Sequence, residues 1–308
     1  MTTAPLQLTS LGKELDGRAS AFGELRRSDD IARDGAALRA RMAEDGYLFM
    51  PGLLNVERLR AARQYVVDQL AELGLLDDRF PRMEAVTRPG GQGGFMPDKL
   101  AQRNPALLDV LYAGPMMEFH ERFLGCPVRH YDFTWFRCVG AGGSGTYPHT
   151  DVVYMGRGTF HLYTSWTPIG DVPVEVGGLM ILEGSHRQRE KLANYLSRDV
   201  DVYCTNRPDA EAIASGQKNW QDWDGRLSSD PVSLREKLGG RWLTTDFRMG
   251  DVLVFGMATV HASLDNHSNR FRLSSDSRYQ LASEPVDERW VGANPIAHGP
   301  AGKKGKIC

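Results

Sequence analysis

The run VRHYDFTWFRCV, residues 128–139, is dense in aromatic and β-branched side chains, and it marks a change of texture along the chain. Downstream of it come TFHLYTSWTPI (159–169), GGLMILEGSH (177–186), DVLVFGMATVHASL (251–264) and RFRLSSDSRYQL (270–281), short β-prone runs parted by glycine or polar turns. Strands in this succession without helices between them predict a sandwich or jelly roll, not a doubly wound sheet. Upstream, residues 30–78 carry apolar side chains at helical spacing, broken at GYLFMPG (46–52), which reads as a short strand and a turn. Helices are expected to dominate to about residue 125. Residues 187–240 form a long polar insertion with some helical spacing, of a size that suits a lid or a binding surface. The glycine-rich RPGGQGGFMPDKL (88–100) follows no strand, so it predicts a mobile loop and not a phosphate cradle.

With 308 residues, 41% of them apolar, the chain can bury a sizeable core. A net charge of −2, with acidic and basic residues interspersed, gives no reason to expect a nucleic acid or an anionic membrane as partner. No apolar stretch approaches the roughly 18 residues that span a bilayer, and the first residues lack a leader pattern. Cys126, Cys138, Cys204 and Cys308 are widely spaced and form no CxxC pair, so neither a zinc cluster nor a disulfide framework is expected, and a reducing cytoplasm fits best. The basic GKKGKIC end (302–308) reads as a solvated, disordered tail.

Within TYPHTDVVYM (146–155), His149 and Asp151 lie two residues apart, which on a strand would turn both to one face. His261, near the end of a β run, offers a third ligand. Two imidazoles and a carboxylate on one face of an iron(II) ion leave three positions open, the arrangement of non-haem iron oxygenases. Ser263 shares the face of His261. Arg272 follows eleven residues after His261, and either it or Arg270 could clamp the far carboxylate of a dicarboxylate co-substrate.

These elements together resemble the phytanoyl-CoA dioxygenase family of iron(II)/2-oxoglutarate oxygenases. The likeness lies in EDGYLFMPGLL (44–54), the H-x-D of HTD (149–151), SWTPI (165–169), GGLMILEGSH, and the closing HAS (261–263) and RLS (272–274). It spans residues 40–190 and 240–283. The resemblance implies a mainly β fold with flanking helices, a double-stranded β-helix or cupin-like jelly roll. It also implies iron(II) held by His149, Asp151 and His261, 2-oxoglutarate held by Arg272 and Ser263, and molecular oxygen as the oxidant. Trp166 matches a position lining the co-substrate pocket, and Thr150 is the variable member of H-x-D. Glu183 departs from the family, which usually has proline there. The implied organisation is one dioxygenase domain over 1–308: a mostly helical part at 1–127, a jelly-roll core at 128–286 interrupted by the 187–240 insertion, and a tail at 287–308.

The implied reaction hydroxylates a small organic substrate at an unactivated C–H bond, with release of succinate and carbon dioxide. Two other classes share the residues: a metal-dependent cupin-type isomerase or hydrolase, and a non-catalytic jelly-roll binding module. The first would leave Arg272 with no dicarboxylate to hold, and the second has no need of the whole set. Phe95, in the glycine-rich segment, and Trp220 and Trp223, in KNWQDWDG (218–225), are the candidate substrate contacts. His120, His130, His161 and His186 read as structural.

Overall fold

The computed structural model describes residues 7–308. Its N-terminal part is carried by α1 (Gly35–Asp45), α2 (Val56–Glu72), α3 (Pro105–Tyr112) and α4 (Gly114–Leu124). Local chemistry sets their ends. The Asp34 carboxylate accepts from the Ala36 and Ala37 N–H groups at the start of α1, and Gly46 ends that helix in left-handed backbone. Asn55 caps α2, which buries Leu59, Ala62, Val66, Val67 and Leu70, the spacing of one helical face. Asn104 followed by Pro105 starts α3.

Apart from a short hairpin that pairs Thr9–Ser10 with Lys13–Glu14, the strands are β1 (Phe22–Glu24), β2 (Tyr47–Met50), β3 (Gly94–Phe95), β4 (Val128–His130), β5 (Trp135–Val139), β6 (Tyr163–Pro168), β7 (Leu179–Leu182), β8 (Val202–Cys204), β9 (Trp242–Thr244), β10 (Val252–Gly256), β11 (His261–Ser263), β12 (Arg272–Leu281) and β13 (Lys304–Lys306). One sheet runs β2-β10-β6-β12-β5-β3, with β4 also on β12; the other runs β11-β7-β9-β1. A backbone bridge between His149 and His261, each N–H 3.0 Å from the other's carbonyl oxygen, joins the H-x-D segment to the smaller sheet. The result is the expected jelly roll. Strand alternation divides its surfaces: Val252 and Val254 pack beneath the helices, whereas Leu253 and Phe255 face the lumen with Trp166, Ile181, Leu243 and Phe247. Each such side chain contributes about 1.5–3 kcal/mol on burial. A one-residue slip would exchange the two sets, so the register is firmly specified.

Three expectations need correction. The glycine-rich segment is not free of regular structure, because Gly94 and Phe95 pair with Cys138 and Arg137 as an edge strand. A side chain at Gly93 would overlap the Cys138 carbonyl, which is the close approach that glycine allows. The 302–308 end is not a disordered tail, because β13 pairs in parallel with β8. That pairing brings Cys204 and Cys308, 104 residues apart in sequence, to a Cα separation of 5.4 Å, and they form a disulfide, against the expectation of free thiols. Cys126 and Cys138 are free. Among the described residues no helix is long and apolar enough to cross a membrane.

The insertion holds short helices at Ala193–Leu196 and Ala210–Ala214, strand β8, and a helix at Pro231–Leu238. It is tied to the C-terminal segment at Asp201. This fully buried carboxylate takes the Lys303 ammonium at 2.7 Å, the His298 ring at 2.8 Å and the Arg289 guanidinium at 2.5 Å.

His120, on α4, is buried with its ring stacked 3.9 Å from that of Tyr279 and its Nε2 2.9 Å from Ser165 Oγ. Burial pushes it down to about 3. A histidine kept neutral in the fold binds a proton more readily when unfolded, so its stabilising share is complete above about pH 6.5 and is lost as the pH falls below it. The expected loss is up to about 1.4 kcal/mol per pH unit. The urea midpoint of wild type should therefore fall relative to that of His120→Phe between pH 7 and pH 4.5, and a constant difference would refute this.

Candidate metal centre and co-substrate pocket

His149, Asp151 and His261 are all buried, and one ligand atom from each lies within 4.8 Å of the others. The route to this convergence differs from two residues on one strand. His149 sits on the bridge to His261, but Asp151 has already turned into helical backbone at the start of the short helix Val152–Met155. The turn swings the carboxylate beneath both rings. Asp151 Oδ1 lies 3.9 Å from His149 Nε2 and 3.7 Å from His261 Nε2.

Each imidazole is oriented through its other nitrogen. His149 Nδ1 lies 2.7 Å from the Tyr147 carbonyl oxygen, and His261 Nδ1 lies 3.0 Å from that of Thr259. Donation from Nδ1 leaves the Nε2 lone pair free for a metal. Burial, and then the neighbouring His261, push His149 down to about 3. Burial likewise lowers His261. Both rings are thus neutral, the form that binds metal.

Asp151 Oδ2 has different partners. The Thr164 hydroxyl donates to it, and Arg278 Nη2 lies 3.1 Å away. Burial alone would raise the Asp151 carboxyl, but Arg278 foremost outweighs it and holds the group well below the usual carboxylate range. One oxygen is therefore occupied by protein, and the other faces the two rings. Sequence reasoning passed over Arg278, although its even spacing from Arg272 on β12 puts both on the lumen face.

Arg272 is 2% exposed. Its Nη1 donates to the Gly177 carbonyl oxygen at 2.6 Å across the lumen, while its Nε is buried without a partner. Burial foremost pushes this guanidinium down to about 10. An unpaired buried donor on a cation calls for an anion. The Ser263 hydroxyl accepts from the Thr146 N–H at 2.7 Å, and Trp166 lies in the lumen with its ring 4.7 Å from that of Phe247. Arg270 is outside this group: its side chain is half exposed and pairs with Glu84 at 3.1 Å, contrary to the strand parity that would have faced it inward.

The insertion crosses the H-x-D segment as a strap. The Leu227 N–H donates to the Pro148 carbonyl oxygen at 2.8 Å, the Tyr154 hydroxyl to that of Asp224 at 2.8 Å, and the Tyr195 hydroxyl to that of Gly225 at 2.7 Å. Thr150, fully buried, gives its backbone N–H to the Tyr195 hydroxyl at 3.1 Å. Trp220 and Trp223 pack against the cluster containing Val152, Val153 and Met155. Phe95, 49% exposed, has its ring 6.5 Å from that of Phe133, which packs against the same cluster.

A donor set of two neutral imidazoles and one carboxylate oxygen, with an unpaired guanidinium behind it, fits an iron(II) ion and a dicarboxylate co-substrate. Comparison with known proteins agrees. The family model described as Phytanoyl-CoA dioxygenase (PhyH) matches residues 42–274. A 1-deoxypentalenic acid 11-beta-hydroxylase of Streptomyces exfoliatus is 25% identical over 262 residues, covering 81% of this chain and 82% of that protein. Among solved structures, the non-heme alpha ketoglutarate dependent epimerase SnoN from nogalamycin biosynthesis superposes with a TM-score of 0.54 at 20% identity, over 87% of this chain and 96% of that one. EctD from S. alaskensis gives 0.54 at 17% identity, over 97% and 98%. These two structures share the jelly-roll fold. The family match spans the triad, Ser263 and Arg272, and the chain belongs to the phytanoyl-CoA dioxygenase family of iron(II)- and 2-oxoglutarate-dependent oxygenases.

Proposed function

We propose that the protein hydroxylates a small organic molecule at an unactivated C–H bond, as one dioxygenase domain over residues 1–308. The observation that carries this reading is the buried convergence of His149, Asp151 and His261 in front of the unpaired Arg272. Iron(II) with 2-oxoglutarate and oxygen supplies the oxidation when bound, with succinate and carbon dioxide released. The residues do the rest. His149, Asp151 and His261 hold the metal, and Thr164 and Arg278 keep one Asp151 oxygen turned away from it. Arg272 and Ser263 hold the far carboxylate of the co-substrate, with Trp166 against its carbon chain. Thr150 links the metal ligands to the strap through Tyr195. Phe95, with Trp220 and Trp223 behind the strap, shapes the substrate site and keeps water from it. In support, the Streptomyces exfoliatus relative is named as a 1-deoxypentalenic acid 11-beta-hydroxylase. The test is substrate-stimulated succinate release by iron-loaded protein against a metabolite library, with the product identified by mass. Absence of 2-oxoglutarate turnover with every candidate would overturn the proposal.

The lid role has its own expected result. Replacing Trp220 and Trp223 with alanine should leave slow 2-oxoglutarate consumption without substrate near normal, while substrate-stimulated turnover falls. If both fall together with thermal stability, the two rings serve packing alone.

A further inference from the structure

Three guanidiniums enter the lumen among the described residues, and they are not equivalent. Arg278 pairs with Asp151 through Nη2, with its Nε and Nη1 buried without a partner, and Arg272 lies against Gly177. The third is Arg137. It stands on β5 directly opposite Ser274 of β12, on the same face as Trp135, whose ring lies 4.0 Å from the Arg278 guanidinium. The Arg137 side chain is 30% exposed, against 4% for Arg278, so it faces the mouth. Its ion-pair partner is Asp276, by one long contact of 3.4 Å from Nε. Its guanidinium carbon lies 5.6 Å from the exposed Phe95 ring, and Phe133 continues that apolar wall.

Charge balance makes the same distinction. With both imidazoles neutral, as metal ligation requires, the carboxylates of Asp151 and Asp276 face the guanidiniums of Arg137, Arg272 and Arg278. An iron(II) ion and a 2-oxoglutarate dianion cancel each other. One positive charge is left over among the three guanidiniums; Arg137, more exposed than Arg278, is the one an incoming ligand can reach, and a charge enclosed by substrate and lid needs a counter-ion. A monoanion fits that remainder, and a planar one fits the fork of an arginine.

We infer that the substrate is an organic monocarboxylic acid whose carboxylate is bound by Arg137 and whose apolar body lies against Phe95 and Phe133. This rests on the oxygenase reading above, and it makes Arg137 the specificity-determining residue of the site. Binding exchanges the long contact to Asp276 for a shorter, two-point pair with the substrate, and the reacting carbon is held at a fixed reach from the metal ligands.

The experiment uses iron-loaded full-length protein and a library of carboxylic acids, each paired with its methyl ester and primary amide. Acids should stimulate succinate release, and the neutral partners of the active acids should not. Arg137→Gln should raise the KM of the best acid at least about tenfold, and Arg137→Lys should recover part of it. Anaerobic titration of 2-oxoglutarate, followed by the visible absorption of the iron complex, should give similar affinities in wild type and both variants. Esters or amides as active as their acids, stimulation by neutral or cationic compounds alone, or loss of 2-oxoglutarate affinity in Arg137→Gln would each overturn the inference, the last by moving Arg137 to the co-substrate clamp. Failure of the oxygenase reading would look different, because wild type would then show no iron-dependent 2-oxoglutarate complex.

Discussion

His261→Ala is expected to strip the metal from the protein and to lower 2-oxoglutarate-dependent turnover by more than about a hundredfold, since even losing a supporting partner of a ligand costs 10–100-fold. The residue supplies one of two neutral Nε2 donors, and among the described residues no other His, Cys, Asp or Glu joins the group to replace it. The fold should survive. The bridge to His149 is made by backbone groups, which alanine retains, and the ring is a small part of the lumen packing. Iron content after gel filtration, circular dichroism and oxygen consumption check the three parts of this result. His149→Ala should behave alike, and full activity in either variant would remove the metal assignment. Asp151→Ala is a poorer test, because it would leave Arg278 buried without its partner and destabilise the fold by about 3–5 kcal/mol.

Arg272→Ala should raise the KM for 2-oxoglutarate well over tenfold, and Arg270→Ala should leave it unchanged. Truncating one member of a buried, hydrogen-bonded charge pair costs about 2–5 kcal/mol. Arg272 meets the condition, being 2% exposed with an unpaired Nε, whereas Arg270 is half exposed and already paired with Glu84. Arg272→Lys should rescue little, because an ammonium cannot reproduce the planar fork while also reaching Gly177. The measurement is the initial rate of succinate formation against 2-oxoglutarate concentration. A reversed order of the two alanine variants would transfer the clamp to Arg270.

The strands were legible because their aromatic and β-branched runs answer to burial on a sheet, and the H-x-D, distal histidine and arginine follow from ligand chemistry. The path by which Asp151 reaches the metal was not. A period-two reading extends the strand through Val152, but the backbone turns helical at Asp151, and the same three side chains meet by another geometry. Arg278 and Arg137 needed strand parity applied to charged residues as strictly as to apolar ones. The Cys204–Cys308 bond had no signal in spacing, since it depends on a parallel pairing between an insertion and the end of the chain, a contact that only the tertiary fold creates. Trp220 and Trp223 were legible as candidate substrate contacts, but what they rest on was not: they pack against the cluster that holds Val152, Val153 and Met155.

The same disulfide alters how the molecule carries mechanical load. Tension applied from the Cys308 side cannot run back along the chain into β12, because it crosses to Cys204 and enters the insertion instead. The residues between the two cysteines, including β9 to β12 with His261 and Arg272, hang outside the line of force. β13 falls within that shielded span, so its pairing with β8 is loaded from the β8 side alone. A machine that threads the oxidised chain past Cys308 must draw in two segments at once.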